Sequence, residues 1–262
     1  MCYTTTTMNE KRTIVVGDIH GCLDELLNLM EVVEWQPESD RLILAGDLVD
    51  RGPDSVGVVR WARENNIEIV RGNHDHKYVK MHHRYGKWKN QGIKSDSHYQ
   101  YRDPSMVIYD DLSKEDIEFL VKSPAYIKLD KLNTIVVHAG LWPDVSFDSQ
   151  EPEDMMHVRF LYESQNGYST APLNRKANFA KAKNSIFWAE RYYGTQDIVY
   201  GHHVWDTNDI MVHENHNGAR CYGIDTGAVF GGKLTALILR EGIAPEIRQV
   251  QSTVKSSRKK EK

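Results

Sequence analysis

Short β-branched runs alternate with helical stripes along the first part of the chain. Thr13 to Val16, Leu42 to Ala45 and Ile67 to Val70 are apolar runs of strand length. Between the first two, Leu23, Leu26, Leu27, Met30 and Val33 recur at i, i+3, i+4, i+7 and i+10, the spacing of a helix face laid on a sheet. Between the second and third, Val58, Val59, Trp61 and Ala62 mark another helix, with Asp54 as its N-cap. This predicts a βαβαβ unit. After Gly72 the pattern becomes irregular and polar until SKEDIEFLVK, where Ser113 and Asp116 make a capping-box-like helix start.

Further strands are expected at Tyr126 to Leu129, Thr134 to Val137, Ile198 to Tyr200, Tyr222 to Ile224, Leu234 to Leu239 and Glu246 to Val250, with Asn217-Gly218 as a turn. The stretch from Trp142 to Gln196 follows no single period, and SQNGYSTAP in its middle reads as flexible. We expect helices and loops there, covering one side as a substrate cap over 142–196. The α/β order, helix-rich first and strand-rich later, predicts a two-sheet β-sandwich flanked by helices. One domain is expected over 13–250, with flexible tails at 1–12 and, basic in character, at 251–262.

Composition narrows the function classes. Hydrophobic residues make up 40%, aromatic residues 10% and charged residues 27%, enough apolar material for a sizeable core. The net charge of −4 argues against a globally basic surface, so no stable nucleic-acid complex is expected. No apolar run reaches the length of a membrane span, and no membrane partner is expected. Cys2, Cys22 and Cys221 are odd in number and widely spaced, which fits reduced thiols and a cytoplasmic protein.

Three early strands end alike, in glycine followed by metal-capable side chains: Gly17-Asp18-Ile19-His20-Gly21, Gly46-Asp47-Leu48-Val49-Asp50-Arg51-Gly52 and Gly72-Asn73-His74-Asp75. Strand ends of an α/β sheet open on one crevice, so these loops should deliver Asp18, His20, Asp47 and Asn73 to one place. His138 in IVVHAG and His202 in IVYGHH stand at later strand ends, also beside glycine. Six oxygen and imidazole ligands without thiolates exceed the needs of one catalytic ion. They suit two ions sharing Asp47, with manganese expected first and iron, zinc or nickel as alternatives. Two ions about 3.5–4 Å apart can hold a hydroxide and clamp a phosphate for in-line attack, which is phosphoryl hydrolysis.

GDIHG, GDLVDRGP, GNHD, VHAG and GH, in this order, resemble the motif set of calcineurin-like metallophosphoesterases, nearest the phosphoprotein phosphatase branch, over roughly residues 13 to 240. The resemblance implies one divalent or trivalent ion on Asp18, His20 and Asp47, and a second on Asp47, Asn73, His138 and His202. It implies His74 as proton donor to the leaving oxygen, Asp50 as its partner, and Arg51 as a phosphate ligand. A second phosphate-binding arginine is expected from the cap, with Arg159 the first choice and Arg191 the second.

Other residues invite plainer readings. Asp225 reads as a structural turn carboxylate, His203 as an outer or exposed neighbour of His202, and Cys22 as an unreactive small residue. His76, His82, His83 and His98 read as a solvated face, and the basic stretch 76–102 as either that or an anion-attracting rim.

Departures within the family bear on substrate. Asp75 stands where eukaryotic protein phosphatases usually carry glutamate, and GIDTGAVFGGKLTAL replaces their SAPNY-like loop. That ending is similar to bacterial and phage phosphatases and to bis(5′-nucleosyl)-tetraphosphatases. The symmetrical tetraphosphatases often replace the aspartate equivalent to Asp50, which is present here. The first expectation is a hydrolase of dinucleoside tetraphosphates or similar anhydrides, acting on a phosphorylated small molecule. The second is a broad serine/threonine/tyrosine phosphatase acting on phosphoproteins, and the third an inactive phosphate- or partner-binding module.

Overall fold

The computed structural model describes residues 12–90, 104–170 and 184–254. The βαβαβ start is present as β1 (Thr13–Val16), α1 (Leu23–Val32), β2 (Arg41–Leu44), α2 (Ser55–Glu64) and β3 (Glu68–Ile69). Asp54 caps α2 by accepting a hydrogen bond from the Gly57 amide at 2.7 Å. In α1 the inward stripe differs from expectation at one position: Leu29 is fully buried, while Leu27 is 39% exposed. Glu25 is buried beside them, accepting from Ser252 Oγ at 3.1 Å and the Thr253 amide at 2.9 Å. Those contacts anchor the first residues of the expected C-terminal tail. At the other end, Arg12 is held by Asp40 at 2.7 Å.

Beyond β3 the chain forms α3 (Asn73–Asn90), α4 (Pro104–Asp111) and α5 (Lys114–Lys122). The irregular reading after Gly72 is therefore corrected, since α3 is an 18-residue helix. Ser113 and Asp116 form a reciprocal capping box at the start of α5. Next come β4 (Tyr126–Leu129), β5 (Thr134–Val137), β6 (Phe160–Ser164), β7 (Gly167–Thr170), β8 (Ile186–Phe187), β9 (Asp197–Tyr200), β10 (Met211–Glu214), β11 (Arg220–Gly223), β12 (Lys233–Arg240) and β13 (Ile243–Gln251).

One five-stranded sheet runs β13-β12-β1-β2-β3 and the other β10-β11-β9-β5-β4. β1, β2 and β3 are parallel, as are β5, β9 and β11. Their residues alternate in the two-residue period of strands. Val15, Ile43, Val136 and Val199 meet between the sheets, while Ile14, Val16, Leu42 and Leu44 face α1, α2, α3 and α5. Helices thus cover the first sheet, as predicted.

The far face of the second sheet is covered differently. Ile135, Val137, Ile198 and Tyr200 pack against Phe160, Leu161, Phe187 and Trp188 of the cap. That cap is built on a third sheet, β7-β6-β8, with short 3₁₀ turns, where helices and loops had been expected. Within SQNGYSTAP, Ser164 to Thr170 belong to the β6–β7 hairpin rather than to a flexible loop, and Ala171 and Pro172 lie outside the described residues.

Candidate metal centre

Two strand-end glycines in this region make room for neighbouring carboxylates. A Cβ on Gly72 would overlap Oδ1 of Asp47, and one on Gly201 would overlap Oδ1 of Asp18. The turns they permit are tight. Of the nine non-glycine residues at positive φ among the described residues, five are His20, Asp47, Asp50, Arg51 and His202. Backbone conformations that L-residues avoid are thus concentrated at this one place, as they are at functional sites.

The six expected ligands converge. His20 Nε2 lies 3.5 Å from Asp47 Oδ2 and 3.9 Å from Asp18 Oδ2. His138 Nε2 lies 3.1 Å from Asn73 Oδ1, 3.1 Å from His202 Nδ1 and 3.4 Å from Asp47 Oδ1. Donors held about 2.0–2.2 Å from one ion stand roughly 3–3.5 Å from one another. The groupings with metal-binding potential are His20, Asp47 and His74, and Asp47, His138 and His202, so Asp47 belongs to both.

Tautomers follow from the outer contacts. His20 Nδ1 donates to the Val49 carbonyl at 2.8 Å and His138 Nδ1 to the Ala45 carbonyl at 2.9 Å, which turns each Nε2 toward the cluster. One proton on His138 Nε2 can serve a single neighbour, whereas a cation there serves Asn73, His202 and Asp47 together. Charge agrees with this. Burial favours neutral His138, but the carboxylates of Asp47 and Asp18 override it and raise its pKa to about 10. Burial dominates at His20, lowering it to about 3, and also holds His202 well below the usual range. The donor set therefore fits cationic metal: buried carboxylates draw positive charge onto His138, which a metal cation would supply instead, and the imidazoles of His20 and His202 are neutral.

Two residues outside the expected set position it. Asp75, fully buried, accepts from the amides of Asp47 at 2.8 Å, Leu48 at 2.9 Å and Gly72 at 3.0 Å, fixing the turn that presents Asp47. Tyr78 donates its hydroxyl to Asp50 Oδ1. Both sit within the first turns of α3, three residues apart and so on one side of the helix, turned to the loop after β2.

His74 Nδ1 donates to Asp50 Oδ2 at 2.6 Å, and its Nε2 accepts from Arg51 Nη2 at 2.9 Å. Burial works against charge on Asp50, but hydrogen bonds from His74 and Tyr78 leave its pKa below the usual value. Arg51 also donates Nη1 to His20 Nε2 at 2.7 Å. Arg159 reaches the site from the residue before β6, donating Nη2 to the His202 carbonyl at 2.6 Å, while its Nε is buried without a partner. Arg191 instead pairs with Glu163 at 3.3 Å on the cap surface. Asp225 accepts from the Gly227 amide at 3.0 Å within its turn, and His203 packs edge-on against Trp205.

A family model described as calcineurin-like phosphoesterase matches residues 11–232. The chain belongs to this family. It is a metallophosphoesterase, a hydrolase acting on phosphoester or anhydride bonds, and its histidine–aspartate cluster is compatible with a dinuclear site.

Among curated relatives, the asymmetrical bis(5′-nucleosyl)-tetraphosphatase of Oceanobacillus iheyensis is 29% identical over 85% of this chain and 86% of its own length. A symmetrical bis(5′-nucleosyl)-tetraphosphatase of Buchnera aphidicola is 34% identical over 69% of this chain and 68% of its own. A crystal structure assigned as a diadenosine tetraphosphatase aligns with TM-score 0.70 and 27% identity, covering 94% of this chain and 95% of that one. Among the described residues no helix is long and apolar enough to cross a membrane.

Proposed function

We propose that this phosphoesterase hydrolyses dinucleoside polyphosphates such as a bis(5′-nucleosyl) tetraphosphate, using two manganese ions held by Asp18, His20, Asp47, Asn73, His138 and His202. The observation that carries the reaction is the place of Asp47 in both donor groups, beside the His74–Asp50 pair. The substrate class is supported by tetraphosphatase-named relatives that match most of the chain. Bound at these donors, a metal pair supplies a nucleophile at neutral pH and neutralises charge on the phosphate.

The chain's own residues do the rest. Arg51 stands over the donors, and its planar guanidinium suits phosphate oxygens. The lone pair of His20 Nε2 cannot serve Arg51 and a metal together, so loading the site frees Arg51 for substrate. Arg159 is better placed than Arg191 as the second phosphate ligand, because its half-satisfied guanidinium lies beside His202. As the P–O bond breaks, a proton on His74 Nε2 passes to the leaving oxygen, and Asp50 at Nδ1 stabilises the imidazolium beforehand.

That same pair favours a second reading, a broad serine/threonine/tyrosine phosphatase, because a proton donor matters most for alkoxide leaving groups. Assay with manganese, nickel, zinc and magnesium on diadenosine tetraphosphate, a phosphopeptide and p-nitrophenyl phosphate separates the two. Faster turnover of the tetraphosphate, with manganese the best metal, is expected. Preference for the phosphopeptide overturns the first reading.

A further inference from the structure

A cavity of about 830 Å³ opens beside the metal donors, and one of its walls is the outward face of α3. Asn73, Lys77, Lys80 and Arg84 follow one another at i, i+4, i+7 and i+11, a single stripe along that helix. At about 1.5 Å per residue the stripe runs roughly 16 Å away from the ligand Asn73. His76, His83 and His157 border it, and no carboxylate stands among the described lining residues.

Lys77 and Lys80 are held by modest contacts. Lys77 donates to Ser105 Oγ and lies 3.6 Å from Asp50 Oδ2. Lys80 meets Glu153 at 2.7 Å with both side chains mostly in solvent, an ion pair that a multivalent anion can replace. Farther along, Met81, Tyr85 and Met106 give the cavity apolar walls.

We propose that this cavity binds the rest of a polyphosphate chain and its distal nucleoside. Lys77, Lys80 and Arg84 pair with the phosphates beyond the one being attacked, and Met81, Tyr85 and Met106 receive the nucleobase. Cations repeated one helical turn apart match an anion that is itself a chain, whereas a phosphopeptide offers them a single phosphate. Side chains that serve the distal phosphates leave a monoester to be held at the metal end alone, so the cavity sets specificity between the two substrate types. This rests on the tetraphosphatase reading in placing the scissile phosphate at the Asn73 end.

The test uses manganese-loaded full-length protein, comparing wild type with Lys80→Glu, Arg84→Glu and the charge-keeping Lys80→Arg. Two quantities are read: the ratio of kcat/KM for diadenosine tetraphosphate to that for p-nitrophenyl phosphate, and inhibition of p-nitrophenyl phosphate hydrolysis by inorganic tripolyphosphate. Each charge reversal should lower the ratio about tenfold or more and weaken tripolyphosphate inhibition similarly, while Lys80→Arg keeps both. An unchanged ratio, or equal losses on both substrates, overturns the proposal. If wild type turns over p-nitrophenyl phosphate but not the tetraphosphate, the tetraphosphatase reading fails, and inhibition decides the cavity. Weaker tripolyphosphate inhibition in both charge reversals then upholds it, and unchanged inhibition removes it.

Discussion

His74 is held from two sides: Asp50 accepts from Nδ1 at 2.6 Å, and Arg51 donates to Nε2 at 2.9 Å. The nitrogen that faces Arg51 is the one free to carry a transferable proton once the guanidinium moves onto a phosphate. His74→Asn should therefore slow hydrolysis of a phosphoserine peptide by about 10²-fold or more. It should affect diadenosine tetraphosphate and p-nitrophenyl phosphate much less, because their leaving groups need little protonation. Metal content, measured on the same samples, should be retained. Equal slowing of all three substrates would remove the proton-donor role. The ligand types were legible from the motif residues, but Asp75 was not. Its work is three hydrogen bonds to backbone amides, and backbone contacts leave no pattern in side-chain order.

At the scale of elements, Gly72 and Gly201 matter as much as the carboxylates they admit. Gly72→Ala places a Cβ against Asp47 Oδ1 and the Asp47 amide. Circular dichroism should stay near wild type while bound metal, read by elemental analysis, falls; full metal content in the variant would show that the turn can give way. The capping box of α5 gives a stability test. Burial opposes charge on Asp116, but hydrogen bonds to its carboxylate from Arg63 and the Ser113 amide leave its pKa below the ordinary value. A depressed folded pKa contributes stability that is present above the unfolded value and lost as pH falls through the folded one. The unfolding free-energy gap between wild type and Asp116→Asn should thus narrow as urea titrations move from pH 7 to about 3, and a constant gap would mean the ionised carboxylate contributes nothing. That helix and the parallel strands were readable because their inward faces are aliphatic and their caps explicit. α3 was not, because the face it buries carries Asp75, Tyr78, Val79 and Gly86 in place of a leucine stripe. The cap escaped for a related reason. β6 and β8 are short, and their apolar residues serve one packing face without a sustained alternation.

Across the whole molecule, the donor set joins the two sheets. Asp18, Asp47 and Asn73 follow β1, β2 and β3 of the first, whereas His138 and His202 follow β5 and β9 of the second. Between the sheets the contacts are apolar, made by residues such as Val15, Ile43, Val136 and Val199. At their carboxyl ends the contacts become charged, with Asp18, Asp47, Asp75 and Asp225 all buried. Burial raises Asp18, Asp75 and Asp225, and neighbouring carboxylates add to the effect, so this end of the sandwich resists full ionisation. Metal bound there would offset the repulsion and tie one sheet to the other. Metal at about 100 times its Kd stabilises by about 2.7 kcal/mol per site. In a chain of this size that corresponds to roughly 5–10 °C in Tm for each site. Chelation should lower Tm by that order, and hydrogen exchange should rise together at the carboxyl ends of β1, β2, β5 and β9. Adding manganese should reverse both changes. A loss of activity on chelation with Tm and exchange unaltered would show that the sheets are held by their apolar layer alone, with the metal pair serving the chemistry and not the fold.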